Sequence, residues 1–136
     1  MRIFLDANVL FSAAKADGPV RALLAMLHGR EHECWVDAYV MEEARRNLER
    51  KAPESRLMLE KLSRRWRMAA TLPPATAFPR QVDLPEKDLP VLAAAIHHRC
   101  HVLVTGDRSH FGRPYGRTVH GVTIHSPRSL AEALLD

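Results

Sequence analysis

The sequence predicts an α/β fold, a single three-layer α/β/α domain over residues 1–136 with a mainly parallel central sheet. Three observations predict it. Short apolar runs of strand length, Ile3-Phe4-Leu5, Cys34-Trp35-Val36 and Val102-Leu103-Val104, read as buried strands. Segments with helix-compatible apolar spacing separate them, and strands alternating with helices pair in parallel. The runs stop abruptly, at Asp6, at Asp37 and at Thr105-Gly106-Asp107, so polar residues stand where each strand hands over to the next element.

Taken in order, Ile3-Phe4-Leu5 is the first strand. Ala7 to Ala14 follows as a helix with Val9, Leu10, Phe11 and Ala13 as its apolar positions, broken by Asp17-Gly18-Pro19. Val20 to Leu27 is the next helix, with Pro19 near its first turn and Gly29 at its end. The strand Cys34-Trp35-Val36 leads to a longer helix from Ala38 to Lys51, and another runs from Glu54 to Arg65 after Pro53. Met68 to Leu72 is a weak strand, and the proline-bearing stretch 73–85 is a loop. Asp88 to His98 is a compact apolar helix, His101 to Thr105 a strand, and Val122-Thr123-Ile124 a last short strand. An Ala/Leu-rich helix, Pro127 to Leu135, closes the chain, with Ser126 as its cap.

Composition bounds the function. The 136 residues suit one domain, with 46% hydrophobic and 26% charged residues arguing against disorder. A net charge of +4 suits a polyanionic partner such as RNA and serves equally for solubility. No apolar run approaches the roughly 18 residues of a membrane span, and no signal-peptide pattern is present, so a cytoplasmic protein without a membrane partner is expected. Cys34 and Cys100 are far apart and lack metal-ligand spacing, so both read as reduced, buried side chains.

The acids carry the chemistry. In parallel α/β sheets ligands bind beyond the carboxyl ends of the strands, where Asp6 and Asp107 stand. On the helix from Ala38, Val40, Ala44 and Leu48 form an apolar stripe with Glu43 at its border, while Glu42 points further toward solvent. Pairing of Glu43 with Arg46 or Asn47 along the helix is the plain alternative. Asp88 opens its helix, where capping is the common role, although Pro90 removes one amide the cap would use. Carboxylates converging at one edge repel one another unless a divalent cation neutralises them. Hard oxygen ligands suit Mg²⁺ or Mn²⁺, and such ions serve in-line attack on a phosphodiester.

The segments LDANVL, EEARRNL, DLPVLAAAI and VTGD, in this order, resemble the PIN-domain family and more narrowly its VapC-type toxins from toxin-antitoxin pairs. The resemblance covers essentially the whole chain. It implies a PIN-like fold, an Mg²⁺- or Mn²⁺-dependent ribonuclease, a cognate antitoxin and a homodimer. By motif, Asp6, Glu43, Asp88 and Asp107 match the four acids that hold metal and carry catalysis. Asn8 and Thr105 match polar residues lining the site. Glu42 is the rival of Glu43, and Glu86 of Asp88.

Arg108, His110 and Arg113, following Asp107, are candidate RNA contacts, with Tyr115 and Arg117 nearby. The basic stretch from Arg45 to Arg67 is mixed with Glu49, Glu54 and Glu60, which favours a solvated helical face; a groove there for an antitoxin segment is the other reading. A phosphatase using Asp6 as a covalent nucleophile, as haloacid-dehalogenase-like enzymes do, would have a second Asp where Asn8 stands. A dinucleotide-binding domain would have a glycine-rich turn after the first strand. A non-catalytic module binding RNA or protein remains the alternative to a nuclease.

Overall fold

The computed structural model describes residues 1–71, 89–106 and 116–135. They form a six-stranded sheet in the order β3-β2-β1-β4-β6-β5. Its strands are β1 (Arg2–Leu5), β2 (Glu33–Val36), β3 (Arg67–Met68), β4 (Val102–Val104), β5 (Thr118–Val119) and β6 (Val122–His125). The helices are α1 (Ala7–Lys15), α2 (Pro19–Gly29), α3 (Ala38–Lys51), α4 (Arg56–Ser63), α5 (Leu89–His97) and α6 (Pro127–Leu135). Strands β3, β2, β1, β4 and β6 pair in parallel, and only the edge pair β5 and β6 is antiparallel. The expected parallel α/β architecture is therefore present.

Ile3, Phe4 and Leu5 are successive residues of β1, and each is fully buried. Successive side chains of a strand point to opposite faces, so both faces of the sheet are covered at β1. Leu103 and Ile124 continue that layer across β4 and β6, in register with Phe4 and Leu103 respectively. Against it pack apolar stripes such as Val40, Ala44 and Leu48 of α3.

The helix boundaries follow local chemistry. Gly18 precedes Pro19, whose fixed φ suits the first position of α2, so that helix begins one residue earlier than the spacing predicts. The helix expected from Glu54 to Arg65 is shorter at both ends: Pro53–Ser55 forms a 3₁₀ turn, and α4 runs from Arg56 to Ser63. Ser126 Oγ accepts the Ser129 N–H at 3.0 Å while Ser129 Oγ accepts the Ser126 N–H at 2.9 Å, a reciprocal cap that starts α6.

Two strands differ from the sequence reading. β3 is Arg67–Met68, with both residues exposed at the sheet edge, instead of a run from Met68 to Leu72. β5 lies between the strands expected at 101–105 and 122–124, where no element is expected. His120 and Gly121, with φ of 48° and 86°, make a two-residue turn that pairs Val119 with Val122. Positive φ at both central positions matches the twist of a tight hairpin, and glycine adopts it without strain. Among the described residues no helix is long and apolar enough to cross a membrane.

Asp37, 3% exposed, caps α3 by accepting the Val40 N–H on Oδ1 at 3.0 Å. Burial pushes its carboxyl pKa up, against the opposing pull of the Val40 N–H and of His98. A carboxyl whose folded pKa lies above its unfolded one favours the native state below the unfolded value, and that contribution is lost as pH rises through the folded pKa. Asparagine caps a helix about as well as aspartate without the buried charge. Asp37→Asn is therefore expected to raise the melting temperature by a few degrees at about pH 7. The gain should vanish near pH 3, below the ordinary carboxylate range of about 3.9. Melting curves at the two pH values check this, and a lower melting point at neutral pH would show that the cap needs its charge.

Candidate active site

Strand β1 has β2 on one side and β4 on the other, so the strand order reverses at β1. A crevice opens at the carboxyl ends of strands at such a switch point. Asp6 follows β1 and Thr105 follows β4, which puts both at that place. The Asp6 N–H donates to Val104 O at 3.0 Å, extending the ladder by one rung and fixing where the side chain leaves the sheet.

The Asp6 carboxylate is 5% exposed and held from two directions. Its Oδ1 accepts the Ala7 N–H at 2.7 Å, and its Oδ2 accepts the Thr105 hydroxyl at 2.8 Å. Asn8 Nδ2 donates to Thr105 Oγ1 at 3.3 Å, and the Gly106 N–H donates to Asn8 Oδ1 at 2.8 Å. Asn8 thus spends both ends of its amide tying the start of α1 to the end of β4. It is a strut that positions Thr105, and through Thr105 it positions Asp6. Each carboxylate oxygen has capacity beyond one hydrogen bond, so this clasp leaves Asp6 able to take a cation. Asp6 also caps α1, where the partial positive charge of the helix N-terminus favours a negative group.

Glu43 and Glu42 are separated by their surroundings. The Glu42 side chain is 62% exposed and faces Arg45 at 3.8 Å. Glu43 is half-buried on α3, at the border of the stripe that packs toward the core, and α3 lies against α1. The alternative partners along the helix are not used: Asn47 Oδ1 accepts from Arg50 Nη2 at 2.6 Å, and Glu43 makes no ion pair among the described residues. Asp88, its rival Glu86, Asp107, Arg108, His110 and Arg113 lie outside the described residues. Gly106, bonded to Asn8, directly precedes Asp107 in the chain.

Among the described residues no three His, Cys, Asp or Glu side chains converge as a metal site. Of the four candidate acids, Asp6 and Glu43 are described, and both offer hard oxygen donors of the kind Mg²⁺ and Mn²⁺ take. The soft donors are elsewhere. Cys34 and Cys100 are buried and free, and burial pushes their thiol pKa values up to about 12 and about 11, so both stay protonated. In the basic stretch of α3 and α4 two residues are neutralised, Arg45 bidentate on Glu60 at 2.7 and 3.2 Å and Arg56 paired with Glu49. One contributor went unseen in the sequence: the backbone N–H of Gly106, for which a glycine ending a strand is the only signal.

The sequence matches the family model described as PIN domain over residues 2–109. No curated protein matches it. Among solved structures, the crystal structure of VapBC2 from Rickettsia felis bound to a DNA fragment from their promoter contains a similar chain. The TM-score is 0.69 at 16% identity, with 93% of this chain and 98% of that chain covered. At that identity the likeness is one of fold. It shares the parallel sheet whose switch point holds Asp6, while the family match runs from β1 through β4. The chain therefore belongs to the PIN-domain family.

Proposed function

We propose that this protein is a metal-dependent endoribonuclease that hydrolyses RNA phosphodiester bonds, a single nuclease domain acting as the toxin of a cytoplasmic toxin-antitoxin pair. One observation carries the reading: a buried aspartate, clamped by Ala7 and Thr105, stands at the sheet's switch point in a PIN-domain chain. Asp6, Glu43, Asp88 and Asp107 would hold Mg²⁺ or Mn²⁺. An ion held there would supply activation of a water for in-line attack on phosphorus and stabilisation of the leaving oxygen. Thr105 and Asn8 keep the Asp6 carboxylate in one orientation, and Arg108, His110 and Arg113 neutralise RNA phosphates.

The partner is an antitoxin segment of acidic, amphipathic character, with a second copy of the chain completing a homodimer as the family resemblance implies. A groove of about 280 Å³ supports the first of these, with Leu24, Met58, Leu62 and Trp66 among its apolar residues and His28, His32, Lys61 and Arg65 among its basic ones. An apolar groove edged by the cations Lys61 and Arg65 suits the apolar face of a helix carrying acids at its margins.

The test is cleavage of structured RNA, including a tRNA pool, by purified protein free of antitoxin. Fragments are expected with Mn²⁺ or Mg²⁺, with complete loss in EDTA and in Asp88→Asn. Cleavage that survives both would place the activity in another site or another protein. A folded protein that binds RNA without cutting it under any of these conditions would establish the non-catalytic module instead.

A further inference from the structure

Two stripes of side chains begin at the candidate site and end on cations. On α1, Asn8, Phe11 and Lys15 recur at spacings of three and four; on α3, Glu43, Asn47 and Lys51 recur at spacings of four. Such spacings keep each set on one helix face. The two helices pack against each other, and the stripes meet at one ring. Lys15 Nζ lies 5.6 Å from the centroid of Phe11, and Lys51 Nζ lies 5.8 Å from it. Phe11 is half-buried and both lysines are exposed.

Two arginines nearby are neutralised and these lysines are not. Arg45 and Arg56 have carboxylate partners, whereas neither Lys15 nor Lys51 pairs with a carboxylate among the described residues. A lysine stem lying over an apolar ring accounts for one such contact. Two ammonium groups brought from different helices to the same ring is a different matter, because like charges repel and the ring's negative face compensates only in part. An anion on this seam would relieve that repulsion. Helix rise places Phe11 about 4.5 Å beyond Asn8, Lys15 about 10 Å beyond Asn8 and Lys51 about 12 Å beyond Glu43, so the seam leads outward from the candidate site. A half-buried aromatic with two cations over it, neither paired with a carboxylate among the described residues, next to the candidate site is the chemistry that receives single-stranded nucleic acid, where bases stack and phosphates meet ammonium groups.

We infer that the α1–α3 seam is the track along which single-stranded RNA passes the site, with Phe11 stacking a base that flanks the cleaved bond and Lys15 and Lys51 holding its phosphates. This rests on the ribonuclease reading above and adds to it where the strand runs.

The test separates binding from cleavage. Binding of a labelled oligouridylate is titrated in EDTA across a range of salt for wild type, the double variant Lys15→Gln/Lys51→Gln, and Phe11→Leu. Each phosphate contact on a single strand contributes about 0.7 to the salt slope, so the double variant should lose about 1.4. Phe11→Leu keeps the aliphatic packing and should weaken binding by about tenfold with its slope unchanged. Lys15→Arg/Lys51→Arg should retain the wild-type slope. If wild type binds and cleaves RNA and the glutamine variant keeps its slope, the seam is overturned and the nuclease reading stands. If wild type neither binds nor cleaves, both fail together. A change of oligomeric state in the variants at an unchanged salt slope would assign the seam to a protein contact and overturn the inference.

Discussion

Asp6→Asn is expected to lower single-turnover RNA cleavage in Mn²⁺ by about 10³-fold, comparable with removal of a preorganised charge-stabilising group elsewhere. The melting temperature should change little. The reason lies in the way the residue is held. Asparagine still accepts the Ala7 N–H and caps α1 about as well as aspartate. Its amide donates to the Thr105 oxygen in place of accepting from it, because a hydroxyl serves either role. What it lacks is the negative charge, which is what a divalent ion needs from this position. Loss of cleavage with melting preserved would tie the chemistry to the end of β1. A variant that cuts RNA at the wild-type rate would move the site away from it.

Thr105→Val tests the support of that carboxylate. Valine has nearly the shape of threonine, so the fully buried site is left without a cavity, and only the hydroxyl is lost. Asp6 then loses the donor at 2.8 Å and Asn8 the acceptor at 3.3 Å. Removing one partner from buried polar groups costs about 1–3 kcal/mol, which melting or denaturant curves would register. Groups that orient a metal ligand typically change activity by about 10- to 100-fold, and a loss of that size is expected in the presence of metal. Thr105→Ser restores the hydroxyl and should recover most of the activity. Equal loss in the serine and valine variants would mean that the methyl group, through packing, matters more than the bond to Asp6.

Much of this architecture was legible from local pattern. Ile3-Phe4-Leu5 reads as a strand because three adjacent apolar residues require burial on both faces, which is what the sheet provides. The cap expected at Ser126 sits at the start of its helix for the ordinary reason that exposed N–H groups there need acceptors. The border position of Glu43 followed from helical spacing and is found half-buried, while Glu42 is turned toward Arg45. The misses have local causes as well. β3 and β5 are two-residue edge strands with exposed positions, too short for any period to show, and each exists because a neighbouring strand offers it a partner. The helix expected from Glu54 starts at Arg56 because the turn begun by Pro53 takes Glu54 and Ser55 into a 3₁₀ segment.

The amino-acid sequence by itself determined the class of fold, the alternation of its longer strands and helices and the strand end at which a carboxylate is presented, because each depends on residues close together in the chain. Only the tertiary structure decided that Thr105 donates to Asp6 across a separation of 99 residues and that Asn8 bridges to Thr105 across 97. It likewise decided that Lys15 and Lys51 share one ring. Contacts of that kind arise from the pairing of β1 with β4 and the packing of α1 on α3. Those pairings are chosen by burial of the whole core, and apolar burial, being non-directional, leaves no local mark on the residues it brings together.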